Sequence, residues 1–173
     1  PKALILLDVD ETDLYMLELK LQKKFPHLEI KPILCNITNP LRLNQVFETH
    51  LPDIVFHAAA YKQVPMMEFH PEEAVKVNIF GTYNLALLAI KNQVEKVVFI
   101  STDKAVNPSS VMGASKRFAE FICSAFSHNS NTKFCSVRFG NVLGSRGSVI
   151  PIWTEQLKRG GPLTVTHQDM QRY

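Results

Sequence analysis

The sequence predicts an α/β protein built on a doubly wound parallel sheet. Short apolar runs of strand length alternate with segments of helical periodicity, a pattern typical of parallel α/β folds rather than of β-sandwiches. Polar or small residues lie just beyond most of these runs, and ligands of doubly wound sheets bind beyond the carboxyl ends of the strands. The predicted strands cover residues 3–7, 29–34, 53–57, 96–100 and 134–138.

The helices between the strands follow from residue spacing and from signals at their ends. Leu14, Leu17 and Leu21 recur at intervals of three and four residues, the periodicity of an amphipathic helix. Glu72 and Glu73 suit the positive end of a helix that starts just before them. The predicted helices cover residues 12–24, 40–50, 71–92, 110–127 and 150–159.

Two further segments complete this prediction. Residues 140–147 are rich in glycine and are expected to form a loop after the fifth strand. In the helix over 110–127 we expect the apolar side chains to face the core, and these are Ala114, Phe118, Phe121 and Ala125.

Composition limits the classes to which the chain can belong. Its 173 residues suffice for one domain with a substantial core, and 46% hydrophobic with 20% charged residues is ordinary for a globular protein. The net charge of +3 and the lack of like-charge runs argue against nucleic-acid binding. Cys35, Cys123 and Cys135 lie far apart, which favours reduced thiols and no metal site. The chain contains no apolar stretch of about 18 residues, so the sequence predicts no membrane-spanning segment within it.

The exit of the fourth predicted strand resembles a reactive site. The apolar run 96–100 delivers Ser101, Thr102, Asp103 and Lys104 together, and Lys116 follows in the next predicted helix. An acid, an amine, a hydroxyl and a second lysine near one strand end could perform acid–base chemistry. The alternative is a solvated turn that carries two charges.

Three other strand exits could hold a nucleotide. Asp8 ends the first predicted strand, where an acidic group accepts hydrogen bonds from adenosine ribose hydroxyls and favours NAD over NADP; an exposed turn carboxylate is the alternative. Asn36 and Ile37 could place an amide and an aliphatic face beside adenine, or form a plain turn. The small residues 58–60 would let a ligand approach the backbone or let a helix pack tightly, and they are Ala58, Ala59 and Ala60.

Residues around the helix over 71–92 have mixed interpretations. Lys62 lies at a strand exit, so it could bind an anion or remain a solvated charge. Asn78 is expected to pin the neighbouring strand through its side chain, and Gly81 is expected to allow close helix packing. His57 and His70 show no metal-ligand pattern and are interpreted as structural or surface residues.

Five longer motifs are distinctive when taken together, and they are FHAAAYKQVPMME, NIFGT, FISTDKAVNPSSVMGASKR, SVRFGNVLGSRGSVIP and TVTHQDMQRY. With these motifs the chain resembles the extended short-chain dehydrogenase/reductases. Within that superfamily it is similar to the polysaccharide-biosynthesis nucleotide-sugar 4,6-dehydratases that act on UDP-N-acetylglucosamine-type substrates. The resemblance spans nearly all of residues 1–173 and implies a Rossmann-like, NAD-binding domain.

The chain departs from the family pattern in three ways. The run 3–7 matches the second strand of the fold, so we expect this chain to lack the first strand and its GxGxxG loop. We also expect it to lack the substrate-binding region that follows Tyr173 in the family. Met112 stands where the superfamily has a catalytic tyrosine, four residues before Lys116, and methionine cannot ionise. A larger, membrane-anchored subgroup resembles this chain in that methionine, which implies a cytoplasmic domain with an upstream anchor.

The resemblance also implies roles for individual residues. Thr102 would hydrogen-bond the sugar 4-hydroxyl, Asp103 would be the acid and Lys104 the base for the C5 proton. These roles require a raised pKa for Asp103 and a neutral Lys104, with Lys116 as the nearby cation. Asp103 or a water would replace the tyrosine.

Further residues would bind the cofactor or the substrate. Lys116 would bind the nicotinamide ribose, and Ser101 and Asn78 would line the cofactor. The sugar diphosphate of a UDP-sugar would meet three residues, Lys62, Asn141 and Arg146. We expect a homo-oligomer.

Two other functions remain open from the sequence. A nucleotide-sugar 4-epimerase on the same fold needs no acid–base pair for C5 and C6, so Asp103 and Lys104 argue against it. A catalytically incompetent fragment is the other alternative, because NAD affinity should be poor without the first strand and its glycines.

Overall fold

The computed structural model describes residues 1–142 and 148–165. Strands and helices alternate as the sequence predicts, with most boundaries within two residues of the expected positions. The strands are β1 (Ala3–Asp8), β2 (Glu29–Leu34), β3 (Ile54–His57), β4 (Lys96–Ile100) and β5 (Lys133–Val137). The helices are α1 (Glu11–Lys24), α2 (Pro40–His50), α3 (Val64–Phe69), α4 (Pro71–Ala74), α5 (Thr82–Lys91), α6 (Val111–His128) and α7 (Val149–Lys158).

The five strands form two parallel sheets. β1 pairs with β2, and β3, β4 and β5 pair in that order. Every pairing is parallel, with Asp8 opposite Leu34 in the first sheet and Ile100 opposite Val137 in the second. The carboxyl ends of the strands therefore share one edge within each sheet, which confirms the predicted parallel α/β class.

One hydrophobic core serves both sheets. Leu7 and Ile33 of the first sheet pack in the same cluster as Val55 and Val97 of the second. Helices α2 and α5 cover this cluster with apolar side chains, namely Leu43, Val46, Phe47, Leu85 and Ala89. The shared core holds the strand exits of the two sheets on a common frame.

Helix α6 faces the core with the side opposite to the expected one. The four side chains predicted to point inward, Ala114, Phe118, Phe121 and Ala125, are all exposed. The buried side carries Met112, Gly113, Ser115, Lys116, Ala119, Glu120 and Cys123. The prediction was wrong because Lys116 and Glu120 have polar partners at the ends of β4 and β5, and these contacts outweigh the burial of an apolar stripe.

Two helical segments also differ from the prediction. The residues before Pro71, expected to form a loop, form α3, with Pro65 near its N-terminus and its end at Phe69. The helix expected over 71–92 is interrupted by a wider turn of π type, Val75–Gly81, that carries Asn78. Such turns inside helices are frequent at functional sites, because they redirect side chains that a regular helix would place elsewhere.

The described residues that follow Arg138 form a second compact unit. Within it, Thr164 folds back on α7, since its backbone N–H donates to Gln156 Oε1 at 2.9 Å and its carbonyl accepts from Trp153 Nε1 at 2.7 Å. Most of the predicted glycine-rich loop, residues 143–147, lies outside the described residues. Among the residues that the structure describes, no helix has the length and apolar character needed to cross a membrane.

Candidate functional site

The exit of β4 brings three of the predicted catalytic residues into direct contact. Thr102 caps a short 3-10 turn, Asp103–Ala105, by accepting a hydrogen bond from the Lys104 backbone N–H. The Thr102 hydroxyl donates to Asp103 Oδ1 at 2.8 Å, and Lys104 Nζ donates to the same oxygen at 2.9 Å. Asp103 is therefore the common acceptor of a hydroxyl and an amine.

The ionisation of Asp103 differs from the sequence-based expectation. Partial burial alone would raise the pKa of Asp103, but the hydrogen bonds from Lys104 and Thr102 outweigh it and hold that pKa below its ordinary value. The expected raised pKa is wrong for this state of the site, because the amine and the hydroxyl both donate to the carboxylate and stabilise its charge. Asp103 is ready to accept a proton rather than to give one.

Lys116 lies beneath this turn. Its side chain is buried, its Nζ donates to the Ile100 carbonyl at 2.6 Å, and the amine stands 4.2 Å from the centre of the Phe99 ring. Burial lowers the pKa of Lys116 to about 8, against the opposing attraction of the Glu120 carboxylate. At neutral pH the amine is therefore mainly an ammonium, held at the end of β4.

Gly113 sets how closely the 3-10 turn Asp103–Ala105 approaches α6. Gly113 is the third residue of the helix, and its backbone N–H donates to the capping Ser110 hydroxyl at 3.1 Å. A Cβ at Gly113 would overlap the Lys104 carbonyl oxygen and lie 3.2 Å from the carbonyl carbon. Only a residue without a side chain lets the Lys104 backbone rest directly on the first turn of α6.

Met112, at the position of the superfamily tyrosine, lies in an apolar cluster. Its side chain is buried against Met67 of α3 and Ala74 of α4. Glu68 of α3 fixes the same corner, because its carboxylate accepts the Val111 backbone N–H at 2.8 Å. Met112 is thus a packing residue in this structure.

The exit of β3 is built from neutral hydrogen-bonding groups. Asn78 accepts from the Tyr61 backbone N–H at 2.8 Å and donates to the Tyr61 carbonyl at 3.0 Å and to the Ser115 hydroxyl at 2.9 Å. His57 is buried and lies 2.9 Å from the Thr82 hydroxyl. Burial, with a smaller contribution from the charge of Lys116, lowers the pKa of His57 to about 3.

This network fixes the backbone at the strand exit where the sequence predicts cofactor contacts. Asn78 pins the segment after β3, as expected from the sequence, and His57 is structural. The small residues at the strand exit remain accessible, since Ala58 and Ala59 are exposed and Ala60 is half-buried. A planar or anionic ligand can therefore reach the backbone there without meeting a long side chain.

The exits of β1 and β2 carry the other predicted nucleotide contacts. Asp8 is exposed, and its Oδ1 accepts from the backbone N–H groups of Val9 and Asp10 at 2.7 and 3.0 Å. Asn36 Oδ1 accepts from the backbone and hydroxyl of Thr38, which makes this segment a turn. Ile37 is buried, so the aliphatic face that we expected beside adenine is turned into the core.

Gly81 explains the position of Ile37. A Cβ at Gly81 would lie 2.5 Å from Ile37 Cδ1, so the π-type turn packs directly on the isoleucine. This is the close packing that the sequence predicted for Gly81, with a loop residue rather than a strand as its partner.

The predicted substrate residues are less closely grouped. Lys62 is exposed and follows the small residues at the β3 exit, and Asn141 is exposed in the second compact unit. Arg146 lies outside the described residues. Across residues 1–142 and 148–165, no three His, Cys, Asp or Glu side chains are arranged to hold a metal ion.

The sequence analysis missed two residues of this region. Glu120 is buried on α6 and forms a two-point ion pair with Arg138, which directly follows β5. Glu120 stands four residues after Lys116, the spacing that places both side chains on one helix face. That spacing was the available signal, and it identifies Glu120 once the lysine is known to point inward.

One family matches the whole chain. The model of a family described as polysaccharide biosynthesis protein matches residues 1–173. The chain belongs to this family. The match confirms the polysaccharide-biosynthesis family that the motifs predicted.

Curated relatives of the polysaccharide biosynthesis family carry two kinds of name. The chain is 49% identical to the capsular polysaccharide biosynthesis protein CapD of Staphylococcus aureus, over 100% of this chain and 29% of CapD. It is 50% identical to a UDP-glucose 4-epimerase of Rickettsia canadensis, over 72% of this chain and 37% of that enzyme. The chain therefore spans only about a third of the length of these relatives.

Solved structures agree on the fold. Pen from Bacillus thuringiensis is 39% identical, with a TM-score of 0.89 over 98% of this chain and 54% of Pen. The dTDP-glucose 4,6-dehydratase DesIV from Streptomyces venezuelae, solved with NAD bound, is 20% identical, with a TM-score of 0.77 over 94% of this chain and 54% of DesIV. At that identity DesIV supports the Rossmann-like fold alone.

Proposed function

We propose that this chain is the NAD-binding part of a nucleotide-sugar 4,6-dehydratase, which converts a UDP-N-acetylglucosamine-type sugar to its 4-keto-6-deoxy form. The observation that carries the proposal is the Thr102–Asp103–Lys104 cluster, in which one carboxylate oxygen accepts from both a hydroxyl and an amine. Removing water across C5 and C6 needs an acid and a base side by side, and this pair supplies both.

Asp103 has two successive tasks in this scheme. In the first step it accepts the proton of the sugar 4-hydroxyl through Thr102, because the Thr102 hydroxyl already donates to it. That step makes the protonated acid which the second step needs, and Asp103 then gives the same proton to the departing C6 hydroxyl, which leaves as water. The lowered pKa keeps Asp103 ionised before the first step, and the proton that it later gives to the C6 hydroxyl comes from the 4-hydroxyl.

Lys104 handles the second proton. In its neutral form the amine takes the C5 proton once C4 has become a ketone, and it later returns that proton to C5. The protons then balance, since one moves from the 4-hydroxyl to the leaving water and the other leaves and rejoins C5. Protonation of Asp103 in the first step also removes the negative charge that faces Lys104 Nζ at 2.9 Å.

The strand exits fit NAD as the cofactor. When bound, NAD supplies the hydride acceptor for the C4 hydrogen and the donor for C6. The exposed Asp8 carboxylate suits ribose hydroxyls, and the exposed Ala58 and Ala59 allow close approach of the backbone. Lys116 would hold the nicotinamide ribose as an ammonium, beside the turn that carries Asp103.

Other residues would bind the diphosphate of the UDP-sugar while its sugar ring lies at the Thr102–Asp103–Lys104 cluster. Lys62 is an exposed cation near the small residues of the β3 exit, and it suits a phosphate. We assign Asn141 and Arg146 to the same task on the strength of the family motif alone.

A nucleotide-sugar 4-epimerase is the second candidate, favoured by the name of the Rickettsia canadensis relative. The products separate the two reactions. The whole protein incubated with UDP-N-acetylglucosamine should give a product lighter by one water, with no net NADH, whereas epimerisation keeps the mass unchanged. With substrate deuterated at C4, the label should appear at C6. A product of unchanged mass would refute the dehydratase.

Asp103→Asn tests the double role of the aspartate. The amide cannot accept the 4-hydroxyl proton, so both C4 oxidation and water loss should fall by about 10²-fold or more. If Asp103 were only the acid for the C6 hydroxyl, the variant would still oxidise C4, and NADH would accumulate on adding substrate. That accumulation would contradict the double role.

We also propose that the whole protein self-associates through α6. Its exposed Ala114, Phe118, Phe121 and Ala125 repeat at intervals of four, three and four residues, the spacing of a helix–helix contact. A second copy of the chain presents the same stripe, so a two-fold pairing buries both at once. Phe118→Glu should convert the oligomer to monomers in sedimentation analysis, and an unchanged mass would exclude this surface.

A further inference from the structure

An ion cluster around the buried Glu120 carboxylate joins the exits of β4 and β5 to α6, and its two arginines remain partly exposed. Glu120 Oε1 accepts the Ser101 hydroxyl at 2.6 Å and Arg138 Nε at 2.8 Å. Its Oε2 accepts Arg138 Nη2 at 2.6 Å and Arg117 Nη1 at 2.8 Å. These contacts lower the pKa of Glu120 to about 2, with Arg138 the strongest cause, so the carboxylate is charged at neutral pH.

The ion cluster holds Ser101, the residue that directly precedes Thr102, Asp103 and Lys104. Ser101 follows β4 directly, and its backbone N–H donates to the Val137 carbonyl at 2.8 Å. Its backbone and its hydroxyl are therefore both held, the first by β5 and the second by Glu120. Thr102 is the next residue, so the direction of Ser101 sets the path of the chain into the reactive cluster.

Stability alone gives a weak reason for such a cluster. Buried ion pairs contribute little net stability, and apolar residues of similar size often do as well or better. What an apolar contact cannot do is fix the direction of a hydroxyl and of two guanidinium groups. The cluster is therefore better explained by the geometry that it imposes than by the stability that it adds.

We propose that Glu120 is a positioning residue, which holds Ser101 so that Thr102, Asp103 and Lys104 keep their place relative to Lys116. The proposal rests on the function proposed above. Both carboxylate oxygens of Glu120 are occupied by Ser101 and the two arginines, so we assign it an action through Ser101 rather than a direct contact with the ligands. A misplacement of about 1 Å in such a site can lower the rate about 10²-fold, so the effect on turnover should be large.

Glu120 also affects the charge of Lys116. The groups that influence the Lys116 amine are Glu120 and Cys123 of the same helix, His57 of β3, and the carbonyl of Ile100 and the ring of Phe99 in β4. Glu120 stabilises the ammonium, and Arg117 and Arg138 neutralise part of that carboxylate. Replacing Glu120 by glutamine leaves the two arginines without it, so Lys116 should lose its proton at a lower pH.

The experiment measures kcat and its pH profile in the whole, NAD-loaded protein. Glu120→Gln should lower kcat by about 10- to 100-fold. It should also move to lower pH the alkaline limb of the profile, which is the loss of kcat that we assign to deprotonation of Lys116. Ser101→Ala removes the hydroxyl contact to Glu120 and keeps the carboxylate, so kcat should fall while the limb and the Kd for NAD stay unchanged, whereas a weaker Kd would assign the loss to the cofactor-lining role of Ser101. The control is Glu48→Gln, which removes the same charge from a surface ion pair with Lys91 and should change neither.

Several outcomes would overturn the proposal. A folded Glu120→Gln protein with wild-type kcat would do so, as would a loss of kcat with no movement of the alkaline limb, which is the sign of general destabilisation. If Glu120→Gln fails to fold, Ser101→Ala decides, and wild-type kcat in that variant refutes the proposal. If the wild-type product is the epimer, the proposed function fails, and the same kcat comparison, made on that product, still judges Glu120.

Discussion

The exits of β3 and β4 hold their polar groups by opposite means. At β3, Asn78 and His57 form neutral hydrogen bonds, and burial keeps the histidine uncharged. At β4 the polar groups are charged: Lys104 donates to the Asp103 carboxylate, Glu120 accepts from Arg138, and the Lys116 amine donates to a backbone carbonyl. The neutral network maintains a backbone shape on which a cofactor can rest. The charged network can exchange protons with a substrate, so it is the region whose changes should alter turnover most.

The largest effect should come from the charged side. Lys104→Ala removes the base for the C5 proton, and water loss should fall by about 10²- to 10⁴-fold. Cofactor binding at the β3 exit and C4 oxidation should persist, so NADH should accumulate when substrate is added.

The matched control for this variant is Lys76→Ala, an exposed lysine that pairs with Glu73 near the neutral network. It should lower product formation little. Full turnover in Lys104→Ala would show that the charged region does not perform the elimination.

Two glycine substitutions, Gly113→Ala near the β4 exit and Gly81→Ala near the β3 exit, allow a direct comparison of the two regions. Gly113→Ala would push the Lys104 backbone away from α6, and kcat should fall by about 10- to 100-fold. Gly81→Ala would press on the Ile37 side chain, which can shift, so it should mainly lower the free energy of unfolding, by about 1–3 kcal/mol. Urea unfolding and steady-state kinetics on both variants check this contrast, and equal loss of kcat in the two would remove it.

The burial of neutral His57 should make the free energy of unfolding fall in mild acid. The pKa of His57 drops from an ordinary 6.5 to about 3 on folding, so between those values the unfolded chain binds a proton that the folded chain does not. Stability should therefore fall as the pH falls below 6.5, by up to about 1.4 kcal/mol per pH unit.

His57→Gln should flatten the stability curve between pH 6.5 and 4.5. Below 4.5 both proteins should lose further stability, because the pKa of Glu120 falls on folding from 4.5 to about 2, and that contribution disappears as the carboxylate takes up its proton. Denaturant unfolding at several pH values tests this, and an unchanged slope in His57→Gln would assign the acid sensitivity to other groups.

The smallest expected effect on kcat is that of Met112→Tyr. Tyrosine placed there would enter the apolar cluster with Met67 and Ala74, so it should not restore tyrosine-dependent chemistry. The expected result is a loss of about 1–3 kcal/mol in stability and no gain in kcat. A rise in kcat would mean that this side chain can turn toward the reactive cluster.

The sequence predicted the outline of the site better than its electrostatics. Strand exits were predictable because apolar periodicity marks where each strand ends, and Thr102, Asp103 and Lys104 are neighbours in the chain. The protonation of Asp103 was not predictable, because it depends on which donors point at the carboxylate. The buried side of α6 was missed for a related reason, since its apolar stripe is regular in sequence while its core side includes a lysine and a glutamate.

The sequence by itself determined the order of strands and helices, the parallel class and the residues present at the β4 exit, because these depend on local spacing and on chain neighbours. The tertiary structure alone decided which side of α6 is buried, why Gly113 must lack a side chain, and how Glu120 reaches Ser101 and Arg138. Those contacts join residues that are distant in the chain, and their energies depend on burial and on direction, which exist only once the helices and sheets have packed.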